Sequence, residues 1–451
     1  MEFSALLTDL YQLTMAACYF EEGMAEEATF SLFVRRLPQN RAFLVAAGLD
    51  EALRYLESFH FRQEDLAYLE RLGLFKSKFL QFLEGLRFTG QAAALPEGSI
   101  FFANEPIIEI TAPIIEAQLV ETYLLNIFNI QTMVATKAAR CLLAAPDKTL
   151  VDFAARRTQG ADASLKVARA SYLAGFAATS NVLAGKLFGL PVVGTMAHSF
   201  IESFPREIDA FRSFARLFPE KTVLLIDTYD TLAAAQKAVA VAKELAAKGY
   251  RMLGVRLDSG DIASLAKEVR RILNEAGLNY VKIFVSGGLD EFAIRDLLDQ
   301  GAPIDAFGVG TKMGVSADAP YLDSAYKLVR YGRRPVAKLS VGKATLAGDK
   351  QVFRKVEDGQ MIEDLIGLRE EAIPEATPLL VPVMKDGKRI FFEDLATSRA
   401  RFQQELSQLP EGLKALSPPF PTYPVRLTEA LSHLQEEVRQ RLLKETEHSK
   451  F

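Results

Sequence analysis

Residues 252–288 read "MLGVRLDSGDIASLAKEVRRILNEAGLNYVKIFVSGG". Two apolar runs of strand length, "MLGVRLD" (252–258) and "VKIFVS" (281–286), flank a segment with apolar residues at helical spacing. That segment starts at Asp261, an N-cap residue type, and ends at Gly277, the residue type that commonly follows a last helical turn. A strand, a helix of this length and a second strand make a parallel βα unit. Both runs are apolar almost throughout, as strands covered on two faces are.

The same pattern continues outward. "TLVDF" (149–153), "LPVVGT" (190–195), "TVLLID" (222–227) and "IDAFGVG" (304–310) are further runs of strand length. "TLAAAQKAVAVAKELAAKG" (Thr231–Gly249) and "DEFAIRDLLDQG" (Asp290–Gly301) are further capped helices. Units in such a series fit a closed α/β barrel or an open doubly wound sheet, and periodicity does not choose between them.

The flanks differ. "ATFSLFVRRLP" (28–38) and "SIFFANEPIIEITAP" (99–113) suit strands, and "AFLVAAGLDEALRYLESF" (42–59) suits an amphipathic helix. A long helical pattern, "IIEAQLVETYLLNIFNIQTMVATKAARCLLAAP", follows with Pro113 placed for its first turn. Towards the other end "YKLVRYG", "RPVAKLSVG" and "KQVFRKV" alternate as half-exposed antiparallel strands do. "SPPFPTYP" (417–424) then precedes a charged helix, "TEALSHLQEEVRQRLLKE".

The 451 residues are 49% hydrophobic and 24% charged, the balance of a globular chain of two or three domains. A net charge of −4 offers no bulk attraction to nucleic acid or an anionic membrane, so an anionic ligand needs a local site. Cys18 and Cys141 have neither metal nor redox spacing and read as reduced thiols. The first residues lack a basic signal-peptide region and no run of apolar residues spans a bilayer, so a cytoplasmic protein is expected.

Polar residues gather where the central strands end, in "GTMAHSF", "IDTYDT", "RLDSGD", "VSGGLD" and "FGVGTKMG". The carboxyl ends of parallel strands form one ligand-binding rim. Thr195, His198, Asp227, Arg256, Asp258, Ser286, Gly287, Gly288, Gly308, Gly310 and Thr311 are therefore expected to converge. Glycine turns at 286–288 and 308–311 suit a sugar phosphate. Arg256 suits a carboxylate, and Asp258 a developing cation or a ribose hydroxyl. His198, one of four histidines, is either structural or a phosphoryl acceptor or acid–base group, with Asp227 as a partner to fix its tautomer. No G-x-x-x-x-G-K-[ST] loop is present, so ATP is not bound in P-loop fashion.

Taken in order, "TDLYQLTMA" (8–16), "VDFAARRTQG", "GTMAHSF", "IDTYDT", "RLDSGD", "VSGGLD" and "FGVGTKMG" resemble the nicotinate phosphoribosyltransferase family. The resemblance implies an irregular TIM-like α/β barrel over residues 131–329, and a second α+β domain built from 1–130 and 330–451. It implies joining of nicotinate to 5-phosphoribosyl 1-pyrophosphate (PRPP), driven by ATP through a phosphorylated His198, in NAD salvage. Mg2+ would accompany the pyrophosphate and ATP, with no metal held by the protein alone. It further implies a homodimer with shared active sites. Tyr11 of a neighbouring subunit and Phe153 would sandwich the pyridine ring, Arg256 and Thr195 would contact nicotinate, and Arg156 would line the pocket. Nicotinamide-using relatives resemble "TSNVLAGK" (179–186) but carry an aspartate at the position of Asn181. Asn181 beside Ser180 either selects the acid substrate or caps the following helix. Three rivals stand beside this reading: a related enzyme that uses nicotinamide or quinolinate, a barrel aldolase with Lys312 as Schiff base, and a non-catalytic phosphoribosyl sensor.

Overall fold

The computed structural model describes residues 4–340 and 344–448. The chain divides into two compact units, Val134–Pro320 and the pair of segments Met1–Met133 and Tyr321–Phe451.

The first unit is built on a parallel sheet. Its six strands lie in the order Ala178–Thr179, Thr149–Asp152, Ala306–Val309, Lys282–Ser286, Gly254–Leu257, Val223–Leu225. Every ladder is parallel. Val151, Leu225, Val255, Leu257, Val285, Phe307 and Val309 are buried, as the apolar runs require. The helices Thr231–Ala246, Ile262–Glu275 and Glu291–Asp299 return the chain between strands. Each begins beyond an aspartate whose carboxylate accepts a backbone N–H three residues on: Asp230 from Ala233 (2.7 Å), Asp261 from Ser264 (3.2 Å) and Asp290 from Ala293 (2.9 Å). Such caps stabilise a helix by about 1 kcal/mol each. The Ile262–Glu275 helix buries Ala263, Ala266, Val269, Ile272 and Leu273, one stripe at helical spacing.

The strand order follows the chain around a circle. Val223–Leu225 pairs with Gly254–Leu257, that with Lys282–Ser286, that with Ala306–Val309, and the last returns to the first strand, Thr149–Asp152. Thr149–Asp152 pairs with Ala178–Thr179, and Thr179 makes a single parallel bridge to Val192. Among the described residues no backbone pair joins Val192 to Val223–Leu225. This is a barrel order with one rung missing. "LPVVGT" is thus one bridge residue, not the strand its composition predicts. Its partner strand is two residues long, and the ladder ends where Pro191 O and Val193 N meet Thr179.

The other unit interleaves strands from both chain ends. A seven-stranded antiparallel sheet runs Arg334–Pro335, Ser324–Tyr331, Glu27–Val34, Pro106–Pro113, Gln91–Ala94, Val381–Lys385, Lys388–Arg389. A four-stranded sheet, Ala376–Pro378, Lys350–Glu357, Gln360–Leu368 and Val425–Leu427, accompanies it. Three expectations change here. The 42–59 segment opens with a short strand, Leu44–Val45, before the helix Leu49–Ser58 begins at Gly48, whose φ is +113°. The long helical pattern divides at Val120 into Ile114–Leu119 and Glu121–Ala144, with Pro113 one residue before the first. Of "RPVAKLSVG" only Arg334–Pro335 is strand, and Val341–Gly342 lie outside the described residues. No described helix is long and apolar enough to cross a membrane.

Candidate active site

The carboxyl ends of the parallel strands carry one connected network of polar side chains. Arg256, next to last in its strand, is its hub. Its Nε donates to Ser286 Oγ (2.8 Å), and Nη1 donates to Thr195 Oγ1 (3.0 Å) and the Met196 carbonyl (3.3 Å). Nη2 donates to Asp258 Oδ1 (2.7 Å), which also accepts from Ser286 Oγ. The guanidinium carbon stands 5.4 Å from the centre of the Phe153 ring, within cation–π range. Burial pushes the Asp258 carboxyl up, but the hydrogen bonds from Ser286 and Arg256 and the charge of Arg256 outweigh it, and hold it below the usual carboxylate range.

Asp227 braces the neighbouring turn. Its Oδ2 accepts from the Asp258 N–H (2.7 Å) and from Ser259 Oγ (2.8 Å), while its buried Oδ1 has no hydrogen-bond partner. His198 opens the short helix His198–Glu202, and its Nδ1 lies 3.1 Å from Thr228 Oγ1. The pairing expected of Asp227 with His198 is thus taken by the next residue, and Asp227 Oδ2 serves the 258–259 turn instead.

The glycine turns pack against this network. Gly287 has φ +92°, and a side chain there would collide with the Asp258 carbonyl. At Gly308 a Cβ would stand 2.5 Å from the Phe153 ring, so glycine makes room for the aromatic face. Gly288 is open to solvent, and Gly310 leads into the exposed Thr311. Phe153 N donates to Val309 O (2.8 Å), which places the ring beside Gly308 and the Phe153 carbonyl beside Gly310.

On the far edge, Asp152 is buried and ties two turns together. Its Oδ1 accepts from the Ala154 N–H and its Oδ2 from Thr179 Oγ1, both at 2.7 Å. Burial raises its carboxyl, against the pull of those two hydrogen bonds. Asn181 Oδ1 caps the helix Val182–Phe188 by accepting from Ala184 N–H (3.1 Å), and its Nδ2 donates to Ser164 Oγ (3.1 Å). Ser180 N–H donates to the Asp152 carbonyl (2.9 Å). Arg156 is exposed on the 3-10 turn Ala155–Arg157.

Residues 6–129 match the nicotinate phosphoribosyltransferase N-terminal domain, 149–350 the nicotinate phosphoribosyltransferase family, and 373–435 the family's C-terminal domain. A nicotinate phosphoribosyltransferase of Mycobacterium tuberculosis is 48% identical, over 95% of this chain and 92% of its own. The Bacillus subtilis enzyme of that name is 39% identical over 94% and 93%. This chain belongs to the nicotinate phosphoribosyltransferase family. It is a pentosyltransferase by that membership. The crystal structure of human nicotinic acid phosphoribosyltransferase superposes with a TM-score of 0.86 at 32% identity, covering 96% of this chain and 99% of that one. A nicotinate-nucleotide pyrophosphorylase from Pyrococcus furiosus follows at 0.75 and 26%, covering 90% and 95%.

Within Val134–Pro320 Thr195, Asp227, Arg256, Asp258 and Ser286 of the expected cluster form a continuous set of hydrogen bonds, and His198 adjoins it through Thr228, the residue after Asp227. Tyr11 lies in the other unit, on the helix Leu10–Glu21, half-exposed beside exposed Leu10 and Met15. Lys312, the aldolase candidate, holds its ammonium 2.9 Å from Asp290 Oδ2, an ion pair and not a free amine. Thr228, Ser259, Thr179 and Asp152 were not singled out by sequence. Each adjoins or sits within a quoted motif, and alternation along a strand end could have marked Thr228 and Asp152 but not their partners.

Proposed function

We propose that this chain joins nicotinate to PRPP, giving nicotinate mononucleotide and pyrophosphate, with ATP hydrolysis coupled through a phosphorylated His198. The carrying observation is the Arg256 guanidinium held 5.4 Å from the Phe153 ring. A flat aromatic acid needs a cation for its carboxylate and an apolar face for its ring. Four acceptors fix the guanidinium in place, so its free N–H is oriented before substrate arrives.

In the transfer, the pyridine nitrogen attacks C1 of the ribose as the C1–O bond to pyrophosphate breaks, and the electron pair leaves with pyrophosphate. Positive charge develops on the ribose, and Asp258, kept ionised by its partners, is the carboxylate to stabilise it. The 286–288 and 308–311 turns suit the 5-phosphate. Mg2+ bound to the pyrophosphate would offset its charge. No cluster of three or more metal-binding side chains exists among the described residues.

His198 suits a phosphoryl acceptor. With Nδ1–H donating to Thr228, Nε2 keeps its lone pair. Nε2 then attacks the terminal phosphorus of ATP, the bond to ADP breaks, and water later releases phosphate. The half-exposed Tyr11 suits a ring offered to a partner subunit in a homodimer.

The test is to incubate pure protein with nicotinate, PRPP, ATP and Mg2+, with nicotinamide and quinolinate in competition. Nicotinate mononucleotide is expected as the product, with acid-labile phosphate on His198. No nucleotide from any of the three pyridines would remove the enzyme reading and leave the sensor.

A further inference from the structure

We infer that Lys312 and Asp290 form a positioning clasp that sets the distance between the two glycine turns, and so the affinity for the sugar phosphate. The inference rests on the reading of those turns as the 5-phosphate site.

The 286–288 turn leads through Leu289 into Asp290, and the 308–311 turn directly into Lys312. Lys312 Nζ lies 2.9 Å from Asp290 Oδ2, while Asp290 Oδ1 accepts from the Ala293 N–H (2.9 Å) and caps the helix Glu291–Asp299. One carboxylate thus starts the helix after the first turn and grips the residue after the second. Burial pushes the Asp290 carboxyl up, but the Ala293 N–H and the ammonium of Lys312 prevail and hold it low.

A second tie lies one residue on. Glu291, with no exposed side-chain surface, pairs with Lys137, and its Oε1 accepts from Arg140 Nε (2.8 Å). Lys137 also meets Asp318 (2.7 Å), six residues beyond Lys312. The stretch after the second turn is therefore joined twice to the start of one helix. Three cations and three anions balance within this group. Lys312 has a fixed neighbour for its charge, so its effect on a phosphate comes through spacing and not as an unpaired countercharge.

The test compares Lys312→Met, Asp290→Asn and the double variant by steady-state kinetics with PRPP varied. Asparagine caps a helix as well as aspartate, so Asp290→Asn removes the charge and keeps the helix start. Each single change is expected to raise KM for PRPP about three- to tenfold, with kcat and the nicotinate KM within about twofold. The double variant should be no worse than the poorer single, and Lys312→Arg should restore KM. Asp290→Asn that lowers KM or leaves it unchanged while Lys312→Met raises it overturns the clasp, because the freed ammonium then serves the phosphate directly. Additive losses in the double variant also overturn it. Should Lys312→Met fail to fold, Asp290→Asn and Lys312→Arg decide the matter. Thr311→Val probes the turn separately: an unchanged PRPP KM there, with raised values in the clasp variants, removes the Thr311 contact and leaves the clasp standing. Unchanged values in every variant remove both.

Discussion

His198 Nδ1 is held 3.1 Å from Thr228 Oγ1, one residue past the aspartate that the sequence offers for that duty. The hydroxyl oxygen can accept a hydrogen bond from Nδ1–H and so leave the lone pair on Nε2. In the proposed cycle His198→Ala abolishes ATP hydrolysis and leaves a slow, ATP-independent transfer. Thr228→Val is expected to slow ATP hydrolysis about tenfold, the loss of one hydrogen bond, with little change in ATP-independent transfer. ATPase assays beside nucleotide formation check both.

Arg256→Ala removes the carboxylate's partner and frees Ser286, Thr195 and Asp258 from their common hub. A charge-assisted hydrogen bond contributes about 1.5–3 kcal/mol, so the nicotinate KM should rise on the order of ten- to a hundredfold. Steady-state kinetics that place the whole effect on ATP would contradict this role.

Asn181 separates its two readings by experiment. Its amide caps Val182–Phe188 and reaches Ser164, and aspartate caps equally well. Asn181→Asp should therefore keep the thermal midpoint within a degree or two, about 0.5 kcal/mol. If the side chain also borders the substrate acid, nicotinate kcat/KM falls about tenfold through repulsion. Melting and kinetics on the one variant read both effects.

Asp258 ties pH to stability. Its carboxyl lies lower in the folded chain than unfolded, so its contribution is fully present above the unfolded value of about 3.9 and is lost as pH falls through the folded value. The stability difference between wild type and Asp258→Asn should be constant from neutral pH to about pH 5 and shrink below about pH 4. Denaturant melts across that range check the sign.

If Tyr11 serves a partner's site, two impaired variants should rescue one another when assayed with nicotinate well below the KM of Arg256→Ala. Tyr11→Ala and Arg256→Ala, unfolded together and reassembled, give one complete site in each mixed dimer, about a quarter of wild-type activity. No recovery would place Tyr11 outside the site.

The legible parts of this fold were those with local causes. Asp261 and Asp290 each accept the N–H three residues on, and the apolar runs at 254–257, 282–286 and 306–309 are buried strands. What escaped depends on long-range geometry. Leu190–Thr195 has strand composition, yet its only neighbour offers two residues to pair with. Asp227 and Thr228 are adjacent, and nothing local says which one faces His198; in the fold Thr228 meets His198 while Asp227 Oδ2 accepts from the Asp258 N–H and the Ser259 hydroxyl. Lys312 has the composition of a nucleophile, and its ion pair with Asp290 is visible only once two turns meet.

Beside the gap between Val192 and the Val223–Leu225 strand, where no backbone pair joins the described residues, Arg256 donates to Thr195 and to the Met196 carbonyl, and His198 meets Thr228. The proposed catalytic groups are thus also the staples of the seam. A mutation that loosens the seam costs chemistry, and one that disarms the chemistry lets the seam part. Selection at these positions therefore answers to architecture and reaction together.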